Sequence, residues 1–402
     1  MSNRRRPLLV PPPGLALPVT RRSFLRGTSL GALSLAGGGL LAVCGTEGAT
    51  QTAESCVSED LSDTEKVVNW SNWPAYIDPI SQDDSTLLAF EDMTGISVDY
   101  TDDVNDNLQF YAKVQAQLAD CQETGRDMFT LTDWMAARMI GLGWVQKLDK
   151  ANLPNVQSNL IEQLRAPVWD PERDYSVPWQ SGLTGIAYRA DLTDEVGSFE
   201  DLLTRSDLKG KMTLLLEMQD TMAFMLILEG ADPEDFTDDE FYAALDSLKE
   251  VKDAGQIRSF TGNEYRQDLA QGNILACEAW SGDVIQLQFD NPDIKFVAPE
   301  EGLNLWSDNS QVPNKATHKA NAEKLMDYYY DPQVAAELVA WVNYICPVQG
   351  AQEAMEKIDP SLVDNVLIFP DEELLAKTND FMALDPDKET EYQTAFTRAV
   401  SS

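Results

Sequence analysis

Strand-like and helix-like segments alternate along the chain from about Lys66 onward. Short apolar runs of strand length are separated by longer segments whose apolar residues have helical spacing. The first run predicts strands over 67–72, 96–101 and 127–131, with helices over 84–93 and 108–118. Strands that alternate with helices pair into a sheet covered by helices, so this pattern predicts an α/β fold.

A second alternating run begins at Gly182. It predicts strands over 183–188, 212–216 and 274–280. Between them, a helix over 238–251 begins with a capping box formed by Thr237 and Glu240. The C-terminal part is predicted to be mainly helical, over 319–330, 333–342, 351–357 and 388–400. A chain of 402 residues is longer than one compact core usually holds, which favours two domains.

The N-terminal segment differs from the rest in composition. Residues 1–43 contain six arginines and no acidic residue, and Thr20 to Gly27 read TRRSFLRG. A twin-arginine pair followed by a weakly hydrophobic stretch is typical of an export signal. That stretch, over 28–43, has 16 residues, short of the roughly 20 needed to span a bilayer. We therefore expect residues 1–43 to be a signal peptide of an exported protein.

The hydrophobic stretch ends at Cys44, as in lipoprotein signals. We expect Cys44 to carry a lipid that anchors the protein to the outer face of the cytoplasmic membrane. A flexible tether is predicted over 44–64, which is rich in Thr, Glu, Ser and Asp. Cleavage near Ala49 or Ala53 without lipidation is the alternative, because Val43 is bulkier than the residue usual before such a cysteine.

The part of the chain that follows the signal is strongly acidic. The whole chain has 30 basic and 67 acidic residues, and removing residues 1–43, with their six arginines, lowers the formal charge from −37 to −43. Nucleic-acid-binding proteins concentrate Lys and Arg, so nucleic acid is excluded as a partner and anionic membrane surfaces are disfavoured. The acid excess either keeps the protein soluble or attracts a cation.

Motifs of the common enzyme chemistries are missing from the sequence. His318 is the only histidine, and it lies in a polar stretch over 315–320, where we expect a solvated surface side chain. There is no HExxH or GxSxG motif, and the pair Gly210-Lys211 lacks the upstream glycine of a phosphate-binding loop. We therefore predict a protein without catalytic residues, cofactor or metal.

Four cysteines follow Cys44, in a compartment where disulfides persist. None has the Cys-x-x-Cys spacing of a metal or redox site. Cys277 lies in an apolar strand, where a buried free thiol is expected. Three pairings are possible and stay open among Cys56, Cys121, Cys277 and Cys346.

Aromatic residues recur beside carboxylates near predicted turns and strand ends. The groups are Trp70 and Trp73 with Tyr76, Asp133-Trp134, Trp280 with Asp283, and Trp306 with Asp308. A carboxylate neutralises an organic ammonium, and the face of an aromatic ring attracts the same charge and covers methylene groups. Core packing is the alternative for each tryptophan taken singly. Their shared position beside acids favours a binding site for an organic cation.

Residues 66–400 resemble the spermidine/putrescine-binding proteins of bacterial ABC importers. The matching motifs are Asn72-Trp73 with Tyr76, DMFTLTDWMAARM over 127–139, Gly143 to Asp149, Tyr175 to Trp179, Ala279 to Gly282, Trp306-Ser307-Asp308, and Tyr344 before Pro347. The resemblance implies a two-lobe, type II periplasmic-binding-protein-like α/β fold with hinge strands and an interlobe ligand cleft. Lobe 1 would comprise 65–183 and 305–346, and lobe 2 would comprise 184–304 and 347–402.

The same resemblance assigns roles to nine residues. Glu217, Asp220 and Asp308 would neutralise the ammonium groups of a polyamine such as putrescine or spermidine. The methylene chain would lie against six aromatic residues: Trp73, Tyr76, Trp134, Trp280, Trp306 and Tyr344. Trp134 stands where a tyrosine is usual and Glu217 and Asp220 occur in reversed order, so polyamine length selectivity stays open. Capping of a helix is the structural alternative for Asp220.

The implied function is solute capture and delivery to the permease subunits of an ABC importer. A receptor that opens and closes around its solute has no need to associate, so a monomer is expected. Three alternatives stay open: the same fold with a sugar, amino-acid derivative or metal chelate as ligand, a secreted carboxylate-dependent hydrolase that uses Glu217, and a purely structural surface lipoprotein.

Overall fold

The computed structural model describes residues 56–80, 85–382 and 384–401. The predicted signal peptide, the lipid-attachment residue Cys44 and the first part of the tether lie outside the described residues. Within the described ranges, no helix combines the length and hydropathy that a membrane span requires.

Ten strands are found in the described residues, and they form one sheet. Their bounds are β1 Val67–Ser71, β2 Ser97–Thr101, β3 Met128–Thr132, β4 Val177–Arg189, β5 Met212–Leu215, β6 Ile257–Thr261, β7 Ala276–Trp280, β8 Ile294–Val297, β9 Leu303–Gln311 and β10 Thr378–Asn379. Along the sheet the strands follow the order β2-β1-β3-β9-β4-β7-β5-β6, while β8 pairs with β4 and β10 pairs with β9.

Fourteen α-helices cover the sheet or extend its ends within the same residues. They are α1 Thr86–Thr94, α2 Asn107–Ala119, α3 Asp133–Gly141, α4 Pro154–Asn159, α5 Phe199–Thr204, α6 Met218–Leu228, α7 Asp238–Asp253, α8 Tyr265–Gln271, α9 Ser281–Asp290, α10 Lys319–Tyr328, α11 Pro332–Val342, α12 Ala351–Ile358, α13 Glu372–Leu375 and α14 Pro386–Ser401. The predicted alternation of strands and helices is confirmed. The capping box at the start of α7 is also confirmed, because Thr237 and Glu240 make both of its hydrogen bonds.

Two long strands connect the two runs of parallel strands. β1 pairs in parallel with β2 and β3, and β5 pairs in parallel with β6 and β7. Between these groups, β9 is antiparallel to β3 and β4, and β4 is antiparallel to β7. Because β4 has 13 residues, its first half pairs with β9 and its second half also reaches β7. The sequence predicted only the second half of β4 and did not predict β9.

Hydrophobic residues pack into two main clusters. In the larger cluster, the ring of Trp70 meets Tyr100 and Trp179 edge-on, with ring centroids 5.0 and 4.8 Å apart. In the second, Tyr392 on α14 stacks on Phe241 of α7 with centroids 3.8 Å apart. These contacts attach the C-terminal helix to the elements that precede it by more than a hundred residues, since buried aromatic rings contribute large apolar areas.

The segment over 56–64 is not a free tether, so the predicted tether over 44–64 is wrong for these residues. Cys56 is buried and forms a disulfide with Cys121. The backbone N–H of Leu61 donates to the carbonyl of Thr317 at 2.7 Å, and Ser62 is 2% exposed. A covalent link and long-range hydrogen bonds hold this segment, although its composition is typical of a linker. Cys277 and Cys346 are buried free thiols, as predicted for Cys277.

His318 is buried, so the prediction of a solvated surface histidine is wrong. Its side chain lies between two carboxylates, with Nδ1 3.0 Å from an Asp127 oxygen and Nε2 3.0 Å from a Glu65 oxygen. Burial by itself lowers the pKa of His318, but the hydrogen bonds and charges of Glu65 and Asp127 raise it above the usual value. The histidine thereby joins the segment before β1 to the start of α10.

Candidate ligand-binding site

A cavity of about 620 Å³ lies along the middle of the sheet. All nine residues that the sequence selected as ligand contacts line this one cavity: Trp73, Tyr76, Trp134, Glu217, Asp220, Trp280, Trp306, Asp308 and Tyr344. They come from segments that are separated by up to 271 residues in the chain. Their role as ligand contacts stays a prediction.

β9 provides one wall of the cavity. Asn304, Trp306 and Asp308 are at alternate positions of this strand, so their side chains share one face, and all three line the cavity. Gly182 on β4 lies opposite Trp306 in the register. A Cβ atom at Gly182 would be 2.3 Å from Cζ2 of Trp306, so a side chain there would displace the indole ring.

Asp220 is held in the cavity wall by two side-chain hydrogen bonds. It lies in the first turn of α6, and its carboxylate accepts hydrogen bonds from Thr184 Oγ1 at 2.6 Å and from Trp280 Nε1 at 3.1 Å. The N-cap position belongs to Glu217, so the helix-capping alternative for Asp220 is wrong. Burial raises the pKa of Asp220 to about 6, although the two hydrogen bonds favour its charged form.

Glu217 is hydrogen-bonded to Asn107, the first residue of α2. Its carboxylate accepts from Asn107 Nδ2 at 3.1 Å and from the Asn107 backbone N–H at 3.4 Å. Burial, followed by the negative charges of Asp106 and Asp220, raises the pKa of Glu217 well above its usual value. Two of the three acids predicted to bind ammonium groups therefore lie close together, and the charge of Asp220 makes Glu217 harder to ionise.

Asp308 and the nearby Asp133 form a second acidic part of the cavity lining. Asp308 accepts from Thr132 Oγ1 at 2.8 Å, and Thr132 is its partner in the β3–β9 register. Burial raises the pKa of Asp308 to about 7, and the charge of Asp220 adds to the effect. Burial likewise raises the pKa of Asp133 to about 7, with a contribution from Asp308. The sequence paired Asp133 with Trp134 but did not select it as a site residue.

No basic side chain among the described residues forms an ion pair with Asp133, Glu217, Asp220 or Asp308. Asp283 differs from these four carboxylates, although it lines the same cavity. Arg266 lies 3.4 Å from Asp283, whose oxygens also accept from the hydroxyl group of Tyr344. Asp283 therefore positions Tyr344 and is neutralised within the protein. Glu217, Asp220 and Asp308 face the cavity without a counter-charge, whereas Asp133 interacts electrostatically with Arg173.

Five of the six predicted aromatic side chains form a continuous series along the cavity. Trp280 meets Trp73 and Trp306 at centroid distances of 6.3 Å in both cases. Tyr344 lies 5.6 Å from Trp306 and 5.0 Å from Tyr76, again with tilted or edge-on rings. Edge-to-face packing leaves ring faces available, and those faces attract cations and cover apolar groups. The arrangement can therefore hold an organic cation with a hydrocarbon chain.

The cavity also includes residues that sequence reasoning missed. They come from the loop over 163–169 and from the C-terminal segment over 380–389, including Trp169, Asp380, Phe381, Leu384 and Glu389. No motif marks either segment in the sequence. In the described part of the chain, no three His, Cys, Asp or Glu side chains are arranged to hold a metal ion.

Comparison with known proteins gives a consistent result. Residues 85–363 match the family model described as bacterial extracellular solute-binding protein. The spermidine/putrescine-binding periplasmic protein of Escherichia coli is 26% identical over 337 residues, which cover 83% of this chain and 92% of that protein. The resemblance stated from the sequence motifs is therefore confirmed.

Solved structures show the same fold. A putative spermidine/putrescine ABC transporter protein from Listeria monocytogenes superposes with a TM-score of 0.73 at 23% identity, covering 83% of this chain and 99% of that one. A binding protein from A. tumefaciens in complex with agropinic acid superposes with a TM-score of 0.63 at 19% identity, covering 84% and 99%. The predicted type II periplasmic-binding-protein fold is confirmed, and proteins of this fold hold different solutes.

The family is one of solute receptors, so neither the hydrolase nor the purely structural lipoprotein is supported. Its members bind a solute outside the cytoplasm for an ABC importer, without catalysing a reaction. With its α/β sheet, its central cavity and a family match over 85–363, this chain belongs to the bacterial extracellular solute-binding proteins.

Proposed function

We propose that this protein captures a polyamine of the putrescine or spermidine type and delivers it to the permease of an ABC importer. The observation that carries the proposal is the set of three buried carboxylates without a basic partner among the described residues: Glu217, Asp220 and Asp308. Burying an uncompensated carboxylate is costly, and a multivalent organic cation supplies the missing counter-charge.

The spacing of the acids supports a ligand with charges at both ends. The Asp220 carboxylate is bonded to Thr184, which lies opposite Asn304 in the sheet. Asp308 lies four residues beyond Asn304 on β9, which is roughly 13 Å along the strand at about 3.3 Å per residue. Trp306 lies between Asn304 and Asp308 on the same strand, and its Nε1 donates a hydrogen bond to Thr184 Oγ1 at 2.9 Å. An extended aliphatic diamine can lie across Trp306 with one ammonium toward each acid.

We further propose that the lobes over 65–183 with 305–346 and over 184–304 with 347–402 close on the ligand. A ligand shifts such an equilibrium only by binding the closed form more tightly than the open form. A polyamine that contacts Asp308 and Asp220 together meets that requirement, because the two acids come from different predicted lobes. Tethering through Cys44 would keep the closed receptor near its permease.

Calorimetric titration of the purified full-length chain tests the proposal. Putrescine, spermidine and the neutral diol 1,4-butanediol are titrated at low and high salt. We expect saturable one-to-one binding of an amine that persists at high salt, and no binding of the diol. Heat that disappears at high salt would indicate nonspecific attraction to the acidic surface. Binding of the diol as tight as that of putrescine would contradict the proposal and favour a neutral solute.

A further inference from the structure

The cavity continues beyond the acids that would hold a polyamine. Its outer part is bounded by α3, by the loop over 163–169 and by the C-terminal segment. Trp134, Ala137 and Gly141 have the spacing of one helical face and all line the cavity. From Trp134 to Gly141 this face extends by roughly 10 Å, at about 1.5 Å per residue. We name this outer part the vestibule and define it by Trp134, Ala137, Val168, Trp169, Phe381 and Leu384.

The six residues that define the vestibule are apolar, and the two arginines beside it are engaged within the protein. Arg138 lies 3.5 Å from Glu389, donates to Thr390 Oγ1 at 2.8 Å and packs over the ring of Tyr111. Arg173 donates to the carbonyl oxygen of Leu164 at 2.8 Å and to Asn309 Oδ1, also at 2.8 Å. Asp380 also lines the cavity next to Phe381, and apart from this carboxylate the vestibule offers a ligand mainly aromatic and aliphatic surface.

Val168 shows that this apolar surface reaches the opening of the cavity. Its side chain belongs to the cavity lining, yet the residue is 80% exposed. Phe381, on the opposite segment, is half-buried and packs against Phe236 with ring centroids 5.2 Å apart. β10 attaches this segment to the sheet, since Asn379 lies opposite Asn304 in the β10–β9 register. The C-terminal wall of the vestibule is thus held beside the acids of β9.

The cavity volume exceeds the volume of a simple polyamine. If each heavy atom is given roughly 30 Å³, the share of a water molecule in the liquid, putrescine occupies about 180 Å³ and spermidine about 300 Å³. The cavity of about 620 Å³ would therefore remain roughly seven-tenths unfilled by putrescine and about half unfilled by spermidine. A ligand that fills the vestibule needs an apolar group joined to the cationic part.

We propose that the vestibule binds an apolar substituent on one terminal nitrogen of a polyamine. This inference rests on the proposed function, because the amine groups must occupy the acidic part of the same cavity. An N-alkyl substituent keeps the nitrogen protonated, so the contacts with the carboxylates remain, and its methylene groups are removed from water against Trp134, Trp169 and Phe381. Burial of hydrocarbon is favourable in proportion to the area covered.

The test compares three ligands by calorimetry on the full-length chain: putrescine, N-butylputrescine and N-(2-methoxyethyl)putrescine. The two substituents have the same number of heavy atoms, but an ether oxygen replaces one methylene group in the second. We expect N-butylputrescine to bind roughly tenfold more tightly than putrescine and about fivefold more tightly than the ether, since each buried methylene contributes measurably to affinity.

A pair of variants locates the effect in the vestibule. In Val168→Ser, we expect the ratio of the Kd of putrescine to the Kd of N-butylputrescine to fall by about threefold. The matched control is Val366→Ser, because Val366 is 38% exposed and lies outside the cavity lining. It should leave the ratio unchanged. The same ratio of Kd values is measured for a second vestibule variant, Phe381→Ala. Circular dichroism checks that this variant is folded.

The outcomes separate the two proposals. Tight binding of putrescine with equal or weaker binding of N-butylputrescine would overturn the vestibule assignment and leave the proposed function standing. A preference for N-butylputrescine that persists unchanged in both Val168→Ser and Phe381→Ala would also overturn it. If neither amine binds, the proposed function fails, and the vestibule inference fails with it.

Discussion

Replacement of Asp308 by asparagine should change ligand affinity and protein stability in opposite directions. The substitution keeps the shape of the side chain, and an amide oxygen can still accept the hydrogen bond that Thr132 donates at 2.8 Å. It removes a negative charge that is 4% exposed and has no basic partner in the described part of the chain. The charge is unfavourable in the empty cavity and, by our proposal, favourable once an ammonium group is bound.

The stability effect follows from the pKa of Asp308, which burial raises from 3.8 to about 7. Below pH 3.8 the residue is protonated in both the folded and unfolded states, so it has no effect on the free energy of unfolding. Between pH 3.8 and 7 the unfolded state ionises first, and stability falls by about 1.4 kcal/mol per pH unit. At pH 8 the accumulated loss is about 4 kcal/mol, an upper bound because neighbouring acids titrate together with Asp308.

Asp308→Asn should therefore raise the melting temperature of the ligand-free protein at pH 8 and change it little near pH 4. At pH 8 the same variant should bind putrescine more weakly by about 3 kcal/mol or more, because an ammonium group would be buried without its partner. Thermal unfolding at both pH values and calorimetric titration measure the two effects. Asp283→Asn is the control, since it leaves Arg266 unpaired and should lower the melting temperature.

An unchanged affinity for putrescine in Asp308→Asn would refute the assignment of this carboxylate to ligand binding. A melting temperature that falls at pH 8 would refute the electrostatic reasoning, because it would show that the charge of Asp308 stabilises the empty cavity. The two measurements are independent, so either part can fail without the other.

Three further predictions concern pH, packing and the disulfide. If Asp308 governs the site, amine affinity should fall by about tenfold per pH unit below pH 7, because the protonated carboxyl must ionise before it can bind the amine. Titrations between pH 8 and pH 5.5 measure this dependence. An affinity that does not change with pH would contradict the prediction. Gly182→Ala should destabilise the protein by about 1–3 kcal/mol and weaken amine binding, because the new Cβ would be 2.3 Å from the ring of Trp306. Denaturant unfolding measures the loss of stability, and titration measures the loss of affinity. A fully stable variant would show that the ring can move freely. Replacement of both Cys56 and Cys121 by serine should lower the free energy of unfolding by about 2–4 kcal/mol. Equal midpoints of unfolding for the variant and the parent under non-reducing conditions would argue against a stabilising disulfide.

Local patterns were sufficient to predict most elements of the fold. The helix over 238–251 is found as Asp238–Asp253, because a capping box and an apolar face are both encoded within a few residues. β9 was missed because its sequence, LNLWSDNSQ, lacks a simple alternation of apolar and polar residues. Its polar residues are buried by pairing with β3 and β4 and by facing the cavity, and neither influence is local.

The motif resemblance located much of the candidate site. Nine residues selected from the sequence line one cavity, since most of the aromatic and acidic motifs occur at the ends of elements that meet there, while Trp306 and Asp308 lie within β9. Residues without a motif were missed, including Phe381 and Glu389 in the C-terminal segment. Asp133 was visible beside Trp134, but adjacency in sequence does not reveal that its carboxylate interacts with Asp308.

Composition and local pattern thus determined the α/β class, the acidic character and the types of side chain available to a ligand. The tertiary structure alone decided which carboxylates lack a counter-charge and which are paired. Asp308 and Asp283 look alike in the sequence, yet Arg266 lies 3.4 Å from Asp283 while Asp308 has a pKa of about 7. Likewise, the buried His318 lies between Asp127 and Glu65, which are 191 and 253 residues away in the chain. Burial and electrostatic interactions depend on distance in space, and the folded chain sets those distances through contacts between remote segments.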